Sequence, residues 1–505
     1  MVGACSPKDK GPSAEKSSPA TGLNLKSPSR KAFAKHFDVP NRQVSDEEAK
    51  KALQALSLLE SSGDNLSWGK SSGKAGNYTY SDLTAKSDEG NITIDRAELF
   101  GVHMEGETAT FDRADFSGIK IFNEDDNITI TFAEMSMARP TPDMAKSVIQ
   151  SLSNINGVED IDLKDKDRDV SFGALSVSDM KVSSEEFNGG IKQVIWGSDE
   201  KTNLTDFLIE DVGLNFDSKK GESGKLEIEE FTALGLNGDI FGHAETLTKF
   251  RGLGNSLGKN FDEVKLKNLS FDSSAVAINT KGFAGKASEK GHITTIKQVS
   301  EPFIITLKET PKSPQGAQAF AMVKELGFEE LVFESSQTQI LDSQKDTMTI
   351  KDGLISMKDG FDLSYNYSAS GVNEFATSLK DDQKSTNLDA AMQALKVSGL
   401  QLRLEDKSIV ERGLGLAAKF RGASPEQLKK EMKLAVSLAP LAAGSDFERD
   451  IIKEMGGALT EFVGGDGKTL SIVIDPTEPI PLADVMTFKD SGKSMKALGF
   501  TARAE

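Results

Sequence analysis

From residue 64 onward the chain alternates apolar and polar positions in short runs. NYTYSDL, NITIDRAEL, ETATFDRADF, NITITFAEM, VSFGALSV, GKLEIEEF and HITTIKQV each place apolar side chains at every second residue. That period predicts half-buried strands, and the Gly, Asn, Asp and Ser clusters between the runs predict turns and antiparallel meanders. Two segments share a template 17 residues apart, Ile94-Asp95-Arg96-Ala97-Glu98-Leu99-Phe100-Gly101-Val102 and Phe111-Asp112-Arg113-Ala114-Asp115-Phe116-Ser117-Gly118-Ile119. A third, from Ile228-Glu229 to Gly235-Leu236, keeps the apolar–acid start and the Gly–apolar end. Repetition of a strand–turn unit suits a long sheet extended hairpin by hairpin. The quintet Ala114 to Gly118 matches a pentapeptide-repeat unit, but no second quintet follows it, so that architecture is excluded.

Helical spacing interrupts this pattern. In VSDEEAKKALQALSLLESSG, Ser45 and Glu48 form a capping box, and Ala49, Leu53, Leu56 and Leu59 carry an apolar face toward a stop at Gly63. Thr141-Pro142 opens a helix with Met144, Val148, Leu152 and Ile155 on one face, and SPQGAQAFAMVKEL predicts another over 313–326. More strands follow in LVFESSQTQI, DTMTIKDGLISM and FDLSYNYSAS. Ser424-Pro425 with Gln427, and Ser445 with Glu448, begin two more helices, and TLSIVI ends the regular pattern as a short strand.

The expected fold class is β-rich α+β, built as long antiparallel meander sheets with flanking helices. By pattern the chain divides into a disordered tether over 1–44, an amphipathic helix over 45–63, an antiparallel β-rich domain with inserted helices over 64–310, and an α+β domain with C-terminal helices over 311–505. The tether assignment rests on the Ser, Pro and Lys content of SPKDKGPSAEKSSPATGLNLKSPSR, which buries too little surface to fold.

Composition narrows the function. The formal net charge is −18, which opposes nucleic-acid binding and broad adhesion to anionic lipid. Phe is abundant at 28 residues against 4 Tyr and 2 Trp, a bias toward dry interiors or apolar ligand walls. His36, His103, His243 and His292 are scattered without i, i+4 pairing, so no ordinary zinc site is expected. No run of 18 apolar residues exists, so no transmembrane helix is expected.

Motif by motif, catalysis loses support. Gly254-Asn255-Ser256-Leu257-Gly258 fits the nucleophile elbow of serine hydrolases, with Ser256 as nucleophile, but the charged TLTKFRGL before it reads as helix rather than buried strand. The only downstream histidine, His292, falls in an apparent strand. The same stretch is one residue too long for a phosphate loop, and Asn260 replaces the Ser or Thr that would hold magnesium. Gly413-Leu414-Gly415-Leu416-Ala417-Ala418 fits G-x-G-x-x-A, with no preceding strand expected. Asp165, Asp167 and Asp169 have alternate carboxylate spacing, but Val170 and Ser176 replace the Gly and Glu of an EF-hand. A loose surface calcium loop at these three aspartates is the remaining metal candidate, against a solvated acidic turn.

The lone cysteine, Cys5, sits in Val2-Gly3-Ala4-Cys5-Ser6. This resembles the lipobox of bacterial lipoproteins, which implies lipidation of Cys5, and Ser at the next position implies an outer-membrane destination. Only four residues precede it, so this reading requires a start further upstream with a charged and apolar leader; the other reading is an incidental cysteine. Myristoylation is excluded because residue 2 is Val. The stretch FEELVFESSQTQILDSQKDTMTIKDGLISMKDGFDLSYNYSASGV, then ALKVSGLQLRLEDKSIVERGL and TLSIVIDPTEPIPLADVM, resembles uncharacterised periplasmic proteins of Gram-negative bacteria and, more distantly, the AsmA-like and YdgA-like families. That resemblance covers the last 190 residues or so and implies an extracytoplasmic, β-rich envelope protein. The resulting expectation is a non-enzymatic periplasmic protein, tethered through Cys5, that binds a lipid or other apolar ligand in a sheet groove. The alternative is a structural or interaction protein whose surface binds a protein partner; neither needs a cofactor.

Overall fold

A computed structural model of the chain describes residues 28–40, 42–61, 66–87, 90–124, 126–153, 171–199, 202–217, 223–237, 259–310, 314–378, 386–443, 446–465, 468–487 and 498–505. The chain forms two compact units, the first comprising residues 1–184 and 193–202, the second 185–192 and 203–505. In both, alternating runs form an antiparallel meander with flanking helices, as the pattern predicts. The division falls inside the segment read as one domain over 64–310. The expected boundary at 311 is crossed by strand pairing, since Ile305 opposes Leu331 and Thr306 opposes Glu330 in one continuous ladder.

The first unit carries strands β1 (Asn77–Ser87), β2 (Gly90–Phe100), β3 (Arg113–Asn123), β4 (Ile128–Pro140) and β5 (Phe172–Ser183). Each pairs antiparallel with the next. Helices α1 (Asp46–Ala55), with its C-cap Leu56, and α2 (Pro142–Ser153) supply Ala52, Leu53, Leu56, Ala145, Ile149 and Leu152 to a core with Leu83, Ile94, Leu99, Phe116 and Ile119. Burial of each large side chain contributes about 1.5–3 kcal/mol.

Three expectations change here. The helix at 45–63 begins as predicted, the Ser45 hydroxyl accepting from the Glu48 amide at 3.2 Å, but it ends at Ala55. Ser57 adopts φ +60°, its amide donates to the Gln54 carbonyl, and the Leu58 amide donates to that of Leu53. That is a left-handed cap, and it turns Leu58 into the core instead of continuing the helical stripe. The tether assignment also fails for its last part. Phe33, Phe37 and Val39 are buried, and the buried His36 ring lies so close to Gly197 that a Cβ there would stand 2.2 Å from it. The Ser, Pro and Lys content of residues 6–30 was extended over the apolar FAKHFDV that follows them. Finally, ETATFDRADF is not one strand: Thr108–Thr110 pairs with His103–Glu105 in a hairpin, and β3 begins only at Arg113.

The second unit carries β6 (Leu204–Asp217), β7 (Ser223–Asn237), β8 (Glu263–Ser273), β9 (Val276–Lys290), β10 (Ile293–Leu307), β11 (Glu330–Asp342), β12 (Thr347–Met357), β13 (Phe361–Ser370), β14 (Lys396–Asp406) and β15 (Thr469–Ile474), paired in that order. Its helices are α3 (Pro314–Glu325), α4 (Val372–Ser378), α5 (Thr386–Ala394), α6 (Ile409–Arg421), α7 (Pro425–Leu438) and α8 (Asp446–Gly464). The predicted start at Ser424 is observed, its hydroxyl accepting from the Gln427 amide at 3.1 Å.

One local device recurs through both units. Strand after strand, the apolar alternation slips by one residue near the middle: Tyr78 and Tyr80 give way to Leu83 and Ala85, Ile92 and Ile94 to Ala97 and Leu99, Phe116 to Ile119. A slip of one would move the apolar set to the opposite face of a regular strand. Here Tyr80 with Leu83, Ile94 with Ala97 and Phe116 with Ile119 all lie in one core. The slip is accommodated by residues in left-handed conformation, Asp82 at φ +58° and Gly118 at φ +65°, both opposite Asp95. Asp and Gly tolerate that conformation better than other residues. In the second unit Asp211 and Asn268, at φ +50° and +43°, stand on either side of Glu229 in the same way.

Candidate functional site

The line of slips in the second unit opens a cavity of about 910 Å³ on β6 to β10. Its apolar walls are Val212, Ile228, Leu269, Pro302 and Ile304, and its polar groups include Asp211, Glu229, Asn268, Lys281 and Glu301. The Asn268 amide donates to the Glu229 carboxylate across the strand pair. Next to the crease, Lys267 donates to Glu230 at 2.7 Å, and the Thr232 hydroxyl donates to the same carboxylate at 3.1 Å. Glu230 is buried, and its hydrogen bond to Lys267 raises the lysine above its ordinary pKa, so the ammonium is held charged. The pair therefore satisfies a buried charge beside the cavity.

Beyond the crease the strand register aligns apolar side chains in rows. Leu214, Leu226, Phe271, Ile278, Ile305 and Leu331 are direct neighbours across six strands. Two residues along, Val212, Ile228 and Leu269 continue the same face, which Phe303 extends to Phe333, Met357 and Phe361. Directly opposed residues share a face, so these rows form one apolar surface. All six residues of the first row are only half-buried. The Phe216 ring crosses Gly224 and stacks on Phe271, centroids 6.2 Å apart and planes 17° apart. Gly224 is required there, since a Cβ would stand 2.2 Å from that ring.

On the C-terminal strands the same face is covered. Leu363 opposes Leu404, which opposes Leu470. Leu404 and Leu470 pack with Ile451, Ala458 and Phe462 of α8. By contrast α3, which follows β10, has no buried residue. The apolar surface is thus sealed by a helix at one end and half-open over β6 to β11.

The residues singled out by sequence fall elsewhere. Cys5, Asp165, Asp167, Asp169, His243 and Ser256 lie outside the described residues. His36 is buried, His103 shares a hydrogen bond with the Gly101 carbonyl at 2.7 Å, and His292 stands 3.8 Å from Asp342. Among the described residues no three His, Cys, Asp or Glu could together hold a metal ion. Gly413 and Gly415 do follow a strand, β14, contrary to expectation, yet both lie inside α6 rather than at the strand–helix turn. A phosphate cradle needs its glycines at that turn, so dinucleotide binding gains nothing.

What the sequence reading missed is the crease. Its signal was visible in runs such as LIEDVGL and LKNLSF, where an acidic or amide residue sits at the break in alternation.

A family model described as "Uncharacterized protein" matches residues 354–505, from within β12 to the C-terminus. Comparison with curated proteins gives no match. No helix among the described residues is long and apolar enough to cross a membrane.

Proposed function

We propose that the protein is a non-enzymatic carrier or receptor for an elongated apolar ligand, a lipid acyl chain being the closest chemical fit, seated on the apolar face of β6 to β11. The observation that carries this reading is the in-register row from Leu214 to Leu331, half-buried across six strands while the same face is sealed by α8 further along. Contiguous apolar surface left open to water is costly in a monomer and typically marks a binding site. The crease supplies a polar end, where Lys281, Glu301 and Asn268 rim the cavity and suit a headgroup or a hydroxyl. An envelope location with a lipid anchor on Cys5 belongs to the same proposal and fits a tethered carrier.

The test is made on the full chain with Cys5→Ser, expressed without a lipid anchor and purified without detergent. Organic extraction and mass spectrometry should return one lipid class at about one molecule per chain. Protein that is folded, monomeric and free of extractable lipid, and that takes up no fluorescent fatty acid, would defeat the carrier reading in favour of a protein-binding surface.

A further inference from the structure

We infer that the α6–α7 helical hairpin is a docking surface for an anionic lipid bilayer, a role separate from the sheet groove and independent of it. The exposed large hydrophobic residues concentrate here. Phe420 is 73% exposed, Leu434 61%, Leu438 51% and Leu441 82%. Leu434 and Leu438 are spaced i, i+4 on one side of α7, and Leu441 follows them on the 3-10 turn Ala439–Ala442. The opposite side of the hairpin is satisfied within the fold: Leu428 packs with Leu414 and Ala418, and Val436 fits against Gly456 of α8, where a Cβ would stand 2.5 Å away. The leucine ridge is therefore what remains outside after the hairpin has docked on its own protein.

Charge identifies the occupant. In a chain of net charge −18, residues 409–443 carry six cations, Arg412, Lys419, Arg421, Lys429, Lys430 and Lys433, against three glutamates. One glutamate, Glu431, is held by Arg421 at 3.7 Å. Lys429, Lys430 and Lys433 make no ion pair among the described residues and lie within α7, the helix that carries Leu434 and Leu438. An exposed apolar ridge flanked by unpaired lysines is the arrangement by which an interfacial helix holds an anionic membrane. An acidic protein surface elsewhere would keep the rest of the molecule off that membrane and so orient it.

The experiment is flotation of the full Cys5→Ser chain with vesicles of phosphatidylcholine alone or phosphatidylcholine mixed with phosphatidylglycerol. The chain should float with the mixed vesicles, far less with the neutral ones, and progressively less as salt rises. The reversal Lys429→Glu, Lys430→Glu, Lys433→Glu should cut affinity by at least about a hundredfold, at roughly fivefold or more per lysine. The ridge variant Leu434→Ser, Leu438→Ser, Leu441→Ser should cut it by at least about tenfold. Leu441→Ser alone, at the most exposed position, serves if the triple variant melts early. Failure to float on either vesicle, or variants that float like the parent, would overturn the inference. So would sedimentation showing that the ridge holds a dimer which the leucine variant dissolves. None of these outcomes depends on whether a lipid is extracted from the sheet groove.

Discussion

Gly118 shows how a single backbone position fixes the geometry around it. At φ +65° its missing Cβ leaves room for Asp95, whose Oδ2 would stand 2.0 Å from a Cβ. Gly118→Ala should destabilise the protein by about 2 kcal/mol in urea titration, part from the left-handed backbone and part from the clash. Adding Asp95→Ala should return about half of that loss; no recovery would mean the backbone conformation alone sets the cost. A second residue-scale case is Asp112, opposite Gly101 in the same unit. Burial raises its pKa, Arg42 at 3.4 Å and the nearby His103 offset this only partly, and Oδ2 has no hydrogen-bond partner among the described residues. A carboxyl whose folded pKa exceeds its unfolded value favours folding at acidic pH, and that contribution is lost as pH rises through the folded value. Asp112→Asn should therefore match the parent at the acid end and exceed it at neutral pH. Equal stabilities at both ends would show that the Arg42 pair compensates the burial.

Among the elements, those with a chemical start signal were legible and those ended by tertiary context were not. Ser45 with Glu48, and Ser424 with Gln427, mark helix starts because their hydroxyls have only one job available there, to cap free amides. The end of α1 at Ala55 depends on Leu58 finding the core, which no local residue announces. The strands were legible as strands, but their central slip was not, because each run was read as one alternation. ITIDRAEL contains two alternations offset by one residue, and the polar pair between them marks the first unit's slip, as LIEDVGL does for the crease of the second. The crease also concentrates electrostatic risk. With Glu230 buried beside it, Lys267→Met would leave that carboxylate without its cation. The expected cost is about 3 kcal/mol by chemical denaturation, against about 0.5 kcal/mol for the exposed pair partner Lys225→Met.

At the scale of the molecule, the question is whether the apolar face is a surface or an interior. The sequence could not decide this, since half-buried and fully packed strands share the same period of two; only the register shows which side chains stand together, and only the placement of α8 shows where the cover stops. Ile278 lies mid-row, between Phe271 and Ile305. On an open face, Ile278→Asp exchanges a half-buried methyl surface for a hydrated charge and should cost about 1 kcal/mol. In a packed interior the same change strands a carboxylate without a partner and should cost about 4 kcal/mol or more. The expected result is the small loss, read from urea titration, together with loss of co-purifying lipid from an otherwise folded chain. The large loss would show that the face is covered in solution, and the sheet would then be a scaffold whose function lies on its outer surfaces.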